Sequence, residues 1–247
     1  MRVRARVAYD GTDFVGFQRQ AAQRGRTVQG EIESALEKVC GERVAVVGAG
    51  RTDAGVHATG QVVAFDVSWK HPLDALGRAL NAALPDDVAM CDLAVCEPGF
   101  HPRYSAKSRT YVYTAYVDEV RQPLLRRFAW QLERRPDVQA MNDAASRLIG
   151  LHDFAAFGHA PSGRHKENTV REVYRAEWQE KDDRLCFTIE ANAFLFRMVR
   201  RIVMALVRVG RGEYVPDEIE NILNSRDAQQ IKGLAPACGL CLVNVKY

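Results

Sequence analysis

The chain has 247 residues, and its 34 Lys and Arg against 31 Asp and Glu leave a formal net charge of only +3. Hydrophobic residues make up 47% and charged residues 26%, which argues against a disordered, collagen-like or membrane-spanning chain. The basic residues are 27 arginines and 7 lysines. Arginine suits phosphate contacts and stacking, but a GC-rich genome also favours it, and composition alone makes that the simpler explanation.

The first half of the chain predicts alternating strands and helices. Apolar and charged residues alternate over residues 2–9, which predicts a strand with one face in solvent, followed by a basic loop with Arg19, Arg24 and Arg26. Thr27 predicts the cap of a helix that runs to about Cys40, since apolar residues recur at helical spacing. The other predicted elements are strands at residues 44–47 and 61–66 and a helix at about 73–84.

The second half contains more strands without a regular alternation with helices. The predicted strands are residues 109–117, 173–179, 185–190 and 240–247, and the predicted helices are about 138–149, 193–209 and 216–223. Residues 159–168 are rich in Gly, Ser, Pro and charge, which predicts a mobile loop. Because strict βαβ repetition is missing, the order predicts an α+β protein with a mixed, mostly antiparallel sheet.

The glycine-rich segment after residues 44–47 is similar to a dinucleotide-binding turn but departs from it at one position. A dinucleotide fingerprint requires a third glycine where this chain has Asp53, whose carboxylate would repel a pyrophosphate. The residues that follow the segment have the spacing of a strand, whereas a dinucleotide-binding fold needs a crossover helix at this point. A nucleotide-cofactor oxidoreductase is therefore disfavoured, while Asp53 by itself fits either a turn residue or a catalytic carboxylate.

The predicted helix at 193–209 carries an arginine stripe. At the helical rotation per residue, its arginines fall within one arc of about 100°, opposite an apolar face. They are Arg197, Arg200, Arg201 and Arg208. A solvated face is the alternative, but arginines without acidic neighbours suit RNA phosphates better.

Six cysteines are scattered along the chain, and free thiols are expected. Cys238 and Cys241 form a C-x-x-C, for which zinc or redox chemistry is disfavoured because a second ligand pair is missing.

Several motifs in chain order carry a resemblance to a known family. Residues 48–58, Gly-Ala-Gly-Arg-Thr-Asp-Ala-Gly-Val-His-Ala, closely resemble the catalytic loop of the tRNA pseudouridine synthases that act on the anticodon stem-loop. Further similar segments are residues 8–18, 27–30, 100–106, 109–113, 152–154, 194–200 and 237–240. Two positions depart from the commonest pattern, with Phe17 where Trp is frequent and Cys238 where Asp is frequent.

The resemblance implies a fold and an activity. The fold is the pseudouridine synthase fold, with two α/β lobes at residues 1–105 and 106–247 that share one long mixed, mostly antiparallel sheet with a central active cleft. The activity is the conversion of uridine to pseudouridine at positions 38, 39 and 40 of the tRNA anticodon stem-loop, with no cofactor and no metal. The family works as a homodimer, and a cytoplasmic location is expected because the first residues read as a strand and not as a signal peptide.

The resemblance also implies roles for individual residues. Asp53 corresponds to the family's nucleophile, Arg200 to its basic partner, and Tyr111 to the tyrosine that packs on the target base. Arg51 corresponds to the arginine that replaces the flipped nucleotide in the RNA stack. Further substrate-binding predictions are Gln18, Arg19, His57, Leu240, Arg197, Arg201 and Arg208, and for His57 loop packing is preferred over a role as general base. A non-catalytic RNA-binding protein is the alternative, against which the intact Asp53, Tyr111 and Arg200 argue.

Overall fold

The computed structural model describes residues 1–20, 25–160 and 168–247. Arg24 of the predicted basic loop and residues 161–167 of the predicted mobile loop lie outside the described residues. The described chain forms two compact units. The first consists of Met1–Lys107 together with Cys241–Tyr247, and the second of Ser108–Leu240.

Strands and helices alternate irregularly along the described residues. The strands are β1 (Arg2–Tyr9), β2 (Val47–Gly48), β3 (His57–Asp66), β4 (Val88–Val95), β5 (Ser108–Val117), β6 (Trp130–Leu132), β7 (Gly150–Asp153), β8 (Val170–Lys181), β9 (Arg184–Ala191) and β10 (Leu240–Lys246). The helices are α1 (Val28–Cys40), α2 (Leu73–Ala83), α3 (Val138–Ser146), α4 (Met198–Gly210) and α5 (Glu218–Ser225). Among these helices, none has the length and apolar character needed to cross a membrane.

The first unit is built on the strand order β4-β1-β3-β10. β1 pairs antiparallel with both β3 and β4, whereas β10 pairs parallel with β3 through Cys241 and Leu242. Residues 106–247 are predicted to form one lobe, but Cys241–Tyr247 belongs to the first unit, in which β10 pairs with β3. The remainder of the predicted division stays a prediction.

The residues next to each end of helix α1 determine where it begins and ends. The Thr27 hydroxyl accepts a hydrogen bond from the Gly30 N–H at 3.2 Å, which satisfies one of the unpaired donors at the helix start. Gly41 ends the helix in the left-handed conformation, with a φ of 73°. Ile32 and Leu36 are fully buried on its inner face. The predicted helix is confirmed, and so is the predicted strand β1.

The second unit follows the strand order β5-β9-β8-β7, with every neighbouring pair antiparallel, and β6 pairs parallel with β5. Helix α3 packs against β8 and α4. Gly210 allows this close packing, because a Cβ there would lie 2.6 Å from the Met141 sulfur. With most pairs antiparallel in both units, the predicted mixed α+β class is confirmed.

The predicted elements differ from the structure in several places. The strand predicted at residues 44–47 is reduced to the two residues of β2, which pair with β3. The strands β4, β6 and β7 are missing from the prediction, and the pairing of β4 with β1 is interrupted by a register shift near Asp92, whose φ is 54°. Helix α4 begins five residues later than the predicted start at 193, because Arg197 adopts a φ of 63° and ends the preceding loop.

Candidate active site

Asp53 lies in a loop between β2 and β3 whose backbone is fixed on both sides. Before it, the Thr52 side chain shares a 2.7 Å hydrogen bond with the Tyr9 hydroxyl, and the Thr52 carbonyl accepts from the Phe17 N–H at 3.1 Å. After it, the Val56 N–H donates to the Asp53 carbonyl at 3.2 Å. The Asp53 side chain is half-buried. These hydrogen bonds therefore fix the backbone of the loop at Asp53.

Two glycines of the preceding segment allow the Asp53 loop to pack closely. A Cβ on Gly11 would lie 2.0 Å from the Val56 carbonyl oxygen, which is far inside contact distance. Gly16 has a φ of 118°, and a Cβ there would lie 2.9 Å from the Thr52 carbonyl oxygen. The two segments that resemble the family at residues 8–18 and 48–58 thus form one packed structure.

His57 is the first residue of β3, directly after this loop. Its side chain is 5% exposed, and its Nδ1 lies 3.0 Å from the Gly11 nitrogen and 3.2 Å from an Asp10 carboxylate oxygen. Because a backbone N–H can only donate, Nδ1 accepts from Gly11 and cannot also donate to Asp10. This geometry agrees with the preferred interpretation of His57 as a packing residue.

Three other residues of the first unit that are predicted to bind substrate lie at its surface. Arg51, Gln18 and Arg19 are all exposed. The Arg19 guanidinium forms an ion pair with Glu33 at 3.1 Å, and its backbone N–H donates to the Gln29 side chain. Arg51 directly precedes the anchored pair Thr52 and Asp53, so its side chain projects from a fixed position.

Tyr111 and Arg200 belong to the second unit. Tyr111 lies on β5 with 8% of its surface exposed, and its ring meets Phe194 edge-on at 5.1 Å. Arg200 lies in the first turn of α4, where its Nε donates to the Ala235 carbonyl at 2.7 Å while the Ala235 N–H donates to the Arg200 carbonyl. The segment before β10 therefore fixes the guanidinium of Arg200.

Tyr113 lies two residues from Tyr111 on the same strand. Tyr113 is fully buried, and its hydroxyl donates to the Pro236 carbonyl at 2.9 Å. Burial, reinforced by Cys238 and opposed by Arg200, raises the pKa of the Tyr113 hydroxyl far above its ordinary value. Gly239 allows the close fit, since a Cβ there would lie 2.6 Å from the Tyr113 ring. The adjacent Leu240 is likewise buried, at 5% exposure.

The arginines of α4 do not form one continuous free stripe. Arg201 donates to the carbonyls of Ala156 and Ala228 at 3.3 and 3.2 Å. Arg208 donates to the Tyr214 hydroxyl at 3.2 Å, and its guanidinium lies over that ring. Arg197 is exposed, but it precedes the helix in a left-handed conformation, so the helical arc does not apply to it.

These positions predict different salt responses for Arg197→Gln and Arg208→Gln. The log of tRNA affinity falls with the log of salt concentration, and each lost phosphate contact reduces that slope by about one. We expect that reduction for Arg197→Gln and a much smaller one for Arg208→Gln, because Arg208 already contacts Tyr214. Dissociation constants over a salt series measure both slopes. An equal reduction in the two variants would support the continuous stripe instead.

All six cysteines are free. Burial raises the pKa of the thiols of both Cys238 and Cys241, which is the direction opposite to that of a reactive or metal-binding thiolate.

Comparison with known proteins identifies the family. The sequence model of the family described as tRNA pseudouridine synthase matches residues 5–105 and 144–247, which include Asp53 and Arg200 but not Tyr111. A tRNA pseudouridine synthase A from Moorella thermoacetica is 43% identical over 242 residues, covering 98% of this chain and 97% of its own. Proteins of that description from Pseudothermotoga lettingae and Bacillus subtilis are 41% and 39% identical, each covering 100% of this chain and 99% of its own. The chain therefore belongs to the tRNA pseudouridine synthase family.

Proposed function

We propose that this chain isomerises uridine to pseudouridine at positions 38, 39 and 40 of the tRNA anticodon stem-loop. The observation that carries the proposal is the similarity to tRNA pseudouridine synthase A proteins over essentially the full length of both chains. The anchored loop around Asp53 supports it, because a covalent catalyst needs a fixed position. In this proposal the enzyme acts in the cytoplasm as a homodimer, as the resemblance implies.

The chemistry fits an enzyme that uses side chains alone. The bond between uracil N1 and the sugar C1′ breaks, the ring turns, and C5 forms a new bond to the same C1′. The hydrogen on C5 leaves as a proton, and N1 gains a proton. Because the substrate is neither oxidised nor reduced, the reaction requires no electron acceptor.

Asp53 would act as the nucleophile, and its charge state is the first requirement. A carboxylate attacks as a nucleophile in its ionised form. Arg200 would be its basic partner, since a guanidinium keeps its charge at any physiological pH. Tyr111 would pack its ring against the target uracil.

The target base must leave the RNA stack before a side chain can reach it. Extruding a nucleotide costs a few kcal/mol. Arg51 would offset part of this cost by filling the gap, because its planar guanidinium stacks on bases. Phosphate and base contacts would come from the further predicted substrate-binding residues. These are Gln18, Arg19 and Arg197, with smaller contributions from Arg201 and Arg208, which already contact other residues of the second unit. The buried His57 and Leu240 would shape the site by packing.

A tritium-release assay tests the proposal. The substrates are tRNA transcripts labelled with tritium at uridine C5, with a single uridine among positions 38, 39 and 40 or with none. We expect release from each single-uridine transcript, because forming the C5 bond expels that hydrogen, and background from the transcript with none. Tight binding of all transcripts without release from any would favour the non-catalytic RNA-binding protein.

A further inference from the structure

The first unit presents an exposed aromatic ring that the proposed chemistry does not use. Tyr104 lies in the loop before Lys107, and 77% of its surface is exposed. Single exposed apolar residues are common in soluble proteins and need no explanation by themselves. Tyr104 differs because its loop is held rigidly and because its neighbours are basic.

Hydrogen bonds within the loop hold the ring in place. The His101 N–H donates to the Ser105 hydroxyl at 3.2 Å, and the Ser105 N–H donates back to the His101 carbonyl at 2.9 Å. The His101 Nδ1 accepts from the backbone N–H groups of Arg103 and Tyr104. The His101 and Tyr104 rings then lie 4.3 Å apart with an angle of 34° between their planes.

The base of the loop is anchored to the rest of the first unit. Phe100 packs on Tyr247 with ring centroids 5.0 Å apart, and the Tyr247 hydroxyl donates to the Pro102 carbonyl at 2.9 Å. The Arg2 Nε donates to the Phe100 carbonyl at 2.8 Å. Because the loop is already ordered, a ligand that contacts Tyr104 loses little entropy in fixing it.

The surroundings of Tyr104 are positively charged. The Arg103 guanidinium lies 5.8 Å from the Tyr104 ring centroid. The exposed residues Lys107 and Lys246 are joined by a backbone hydrogen bond of 2.7 Å. Glu97 is the one acidic residue between positions 96 and 107. A flat ring beside the Arg103 guanidinium, with the exposed Lys107 three residues further along the chain, matches a nucleic acid base with its phosphates.

We propose that Tyr104 is a stacking platform for an unpaired base of the tRNA substrate, and that Arg103 and Lys107 contact the adjacent phosphates. Stacking on an aromatic face accepts any base, so the platform adds affinity without sequence preference. The inference rests on the proposed function, because that function supplies the RNA. It adds an RNA contact at a residue that the proposed chemistry does not use.

Binding measurements on four proteins test this site. They are the wild type, Tyr104→Ala, Tyr104→Phe and the control Tyr174→Ala, which removes a tyrosine on β8 that is 47% exposed. Fluorescence anisotropy gives the dissociation constants for full-length tRNA and for a fully paired RNA duplex. We expect Tyr104→Ala to weaken tRNA binding about tenfold, with no change for the duplex. Tyr104→Phe and the control are expected to bind like the wild type, because the phenyl face is sufficient for stacking.

The outcomes separate this inference from the proposed function. We expect Tyr104→Ala to raise KM for tRNA in the tritium assay and to leave kcat unchanged. Unaltered tRNA binding by Tyr104→Ala, or an equal loss for tRNA and duplex, would overturn the stacking platform while leaving catalysis by the wild type intact. An inactive wild type would refute the proposed function, while the binding measurements would still decide the role of Tyr104.

Discussion

The variant Asp53→Asn is expected to lose tritium release from tRNA by roughly a thousandfold or more. An amide has nearly the same shape as a carboxylate but is a far poorer nucleophile. The loop should keep its conformation, because the hydrogen bonds of the Thr52 side chain and of the Thr52 and Asp53 backbone remain in the variant. We therefore expect tRNA affinity and thermal unfolding close to those of the wild type. Single-turnover release at saturating enzyme measures the chemical step without product release.

Asp13→Asn is the matched control for this experiment. Asp13 is exposed in the short 3₁₀ turn Gly11–Asp13, so the substitution removes the same charge from the neighbouring segment. It is expected to retain activity. If Asp53→Asn kept a rate near that of the wild type, Asp53 could not be the nucleophile. If both variants lost activity equally, the effect would come from the general loss of negative charge.

The second large effect is expected from Gly11→Ala. The added methyl group would lie 2.0 Å from the Val56 carbonyl oxygen, so the Asp53 loop and the loop after β1 could not keep their present separation. Overpacking of this kind costs about 2–3 kcal/mol in the free energy of unfolding. The N–H of the same residue donates to His57, so the displacement would also disturb that bond. We expect a large fall in both stability and tritium release.

Gly50→Ala provides the comparison for stability. A Cβ on Gly50 would have nothing within 4 Å, although this glycine lies three residues before Asp53. Its free energy of unfolding is expected to stay close to that of the wild type. Urea denaturation followed by circular dichroism gives the free energies of unfolding of Gly11→Ala and Gly50→Ala. Equal stability of Gly11→Ala and the wild type would mean that the two loops can separate without cost, and the Asp53 loop would then not be fixed as described.

Elements specified by nearby residues could be predicted from sequence. Helix α1 is an example, since Thr27 caps its start and Gly41 adopts the left-handed conformation at its end. The loop around Asp53 could be recognised by its resemblance, but its packing could not. The close approaches at Gly11 and Gly16 join segments about 40 residues apart, and sequence spacing contains no information on such distances.

Tertiary contacts account for what the sequence could not predict. The helical pattern near residue 193 continues through Arg197, yet the backbone there is left-handed and α4 begins after it. A helical wheel gives only the direction in which each side chain leaves the helix axis, and not its contacts. The stripe prediction therefore treats the arginines as available for RNA. The partners of Arg201 and Arg208 lie at Ala228 and Tyr214, in segments whose positions depend on the folded second unit.

The membership of β10 in the first unit has a consequence for biosynthesis. The segment Cys241–Tyr247 leaves the ribosome only after all of Ser108–Leu240, although its partner β3 lies far earlier. At about 5–20 residues per second, β3 waits roughly 10 to 35 seconds with part of one edge unpaired. Unpaired edges recruit other strands, so nascent chains of this protein pass through an interval that favours aggregation or chaperone binding. Ribosome-bound chains arrested before Cys241 should therefore be enriched in chaperone over chains arrested beyond Tyr247.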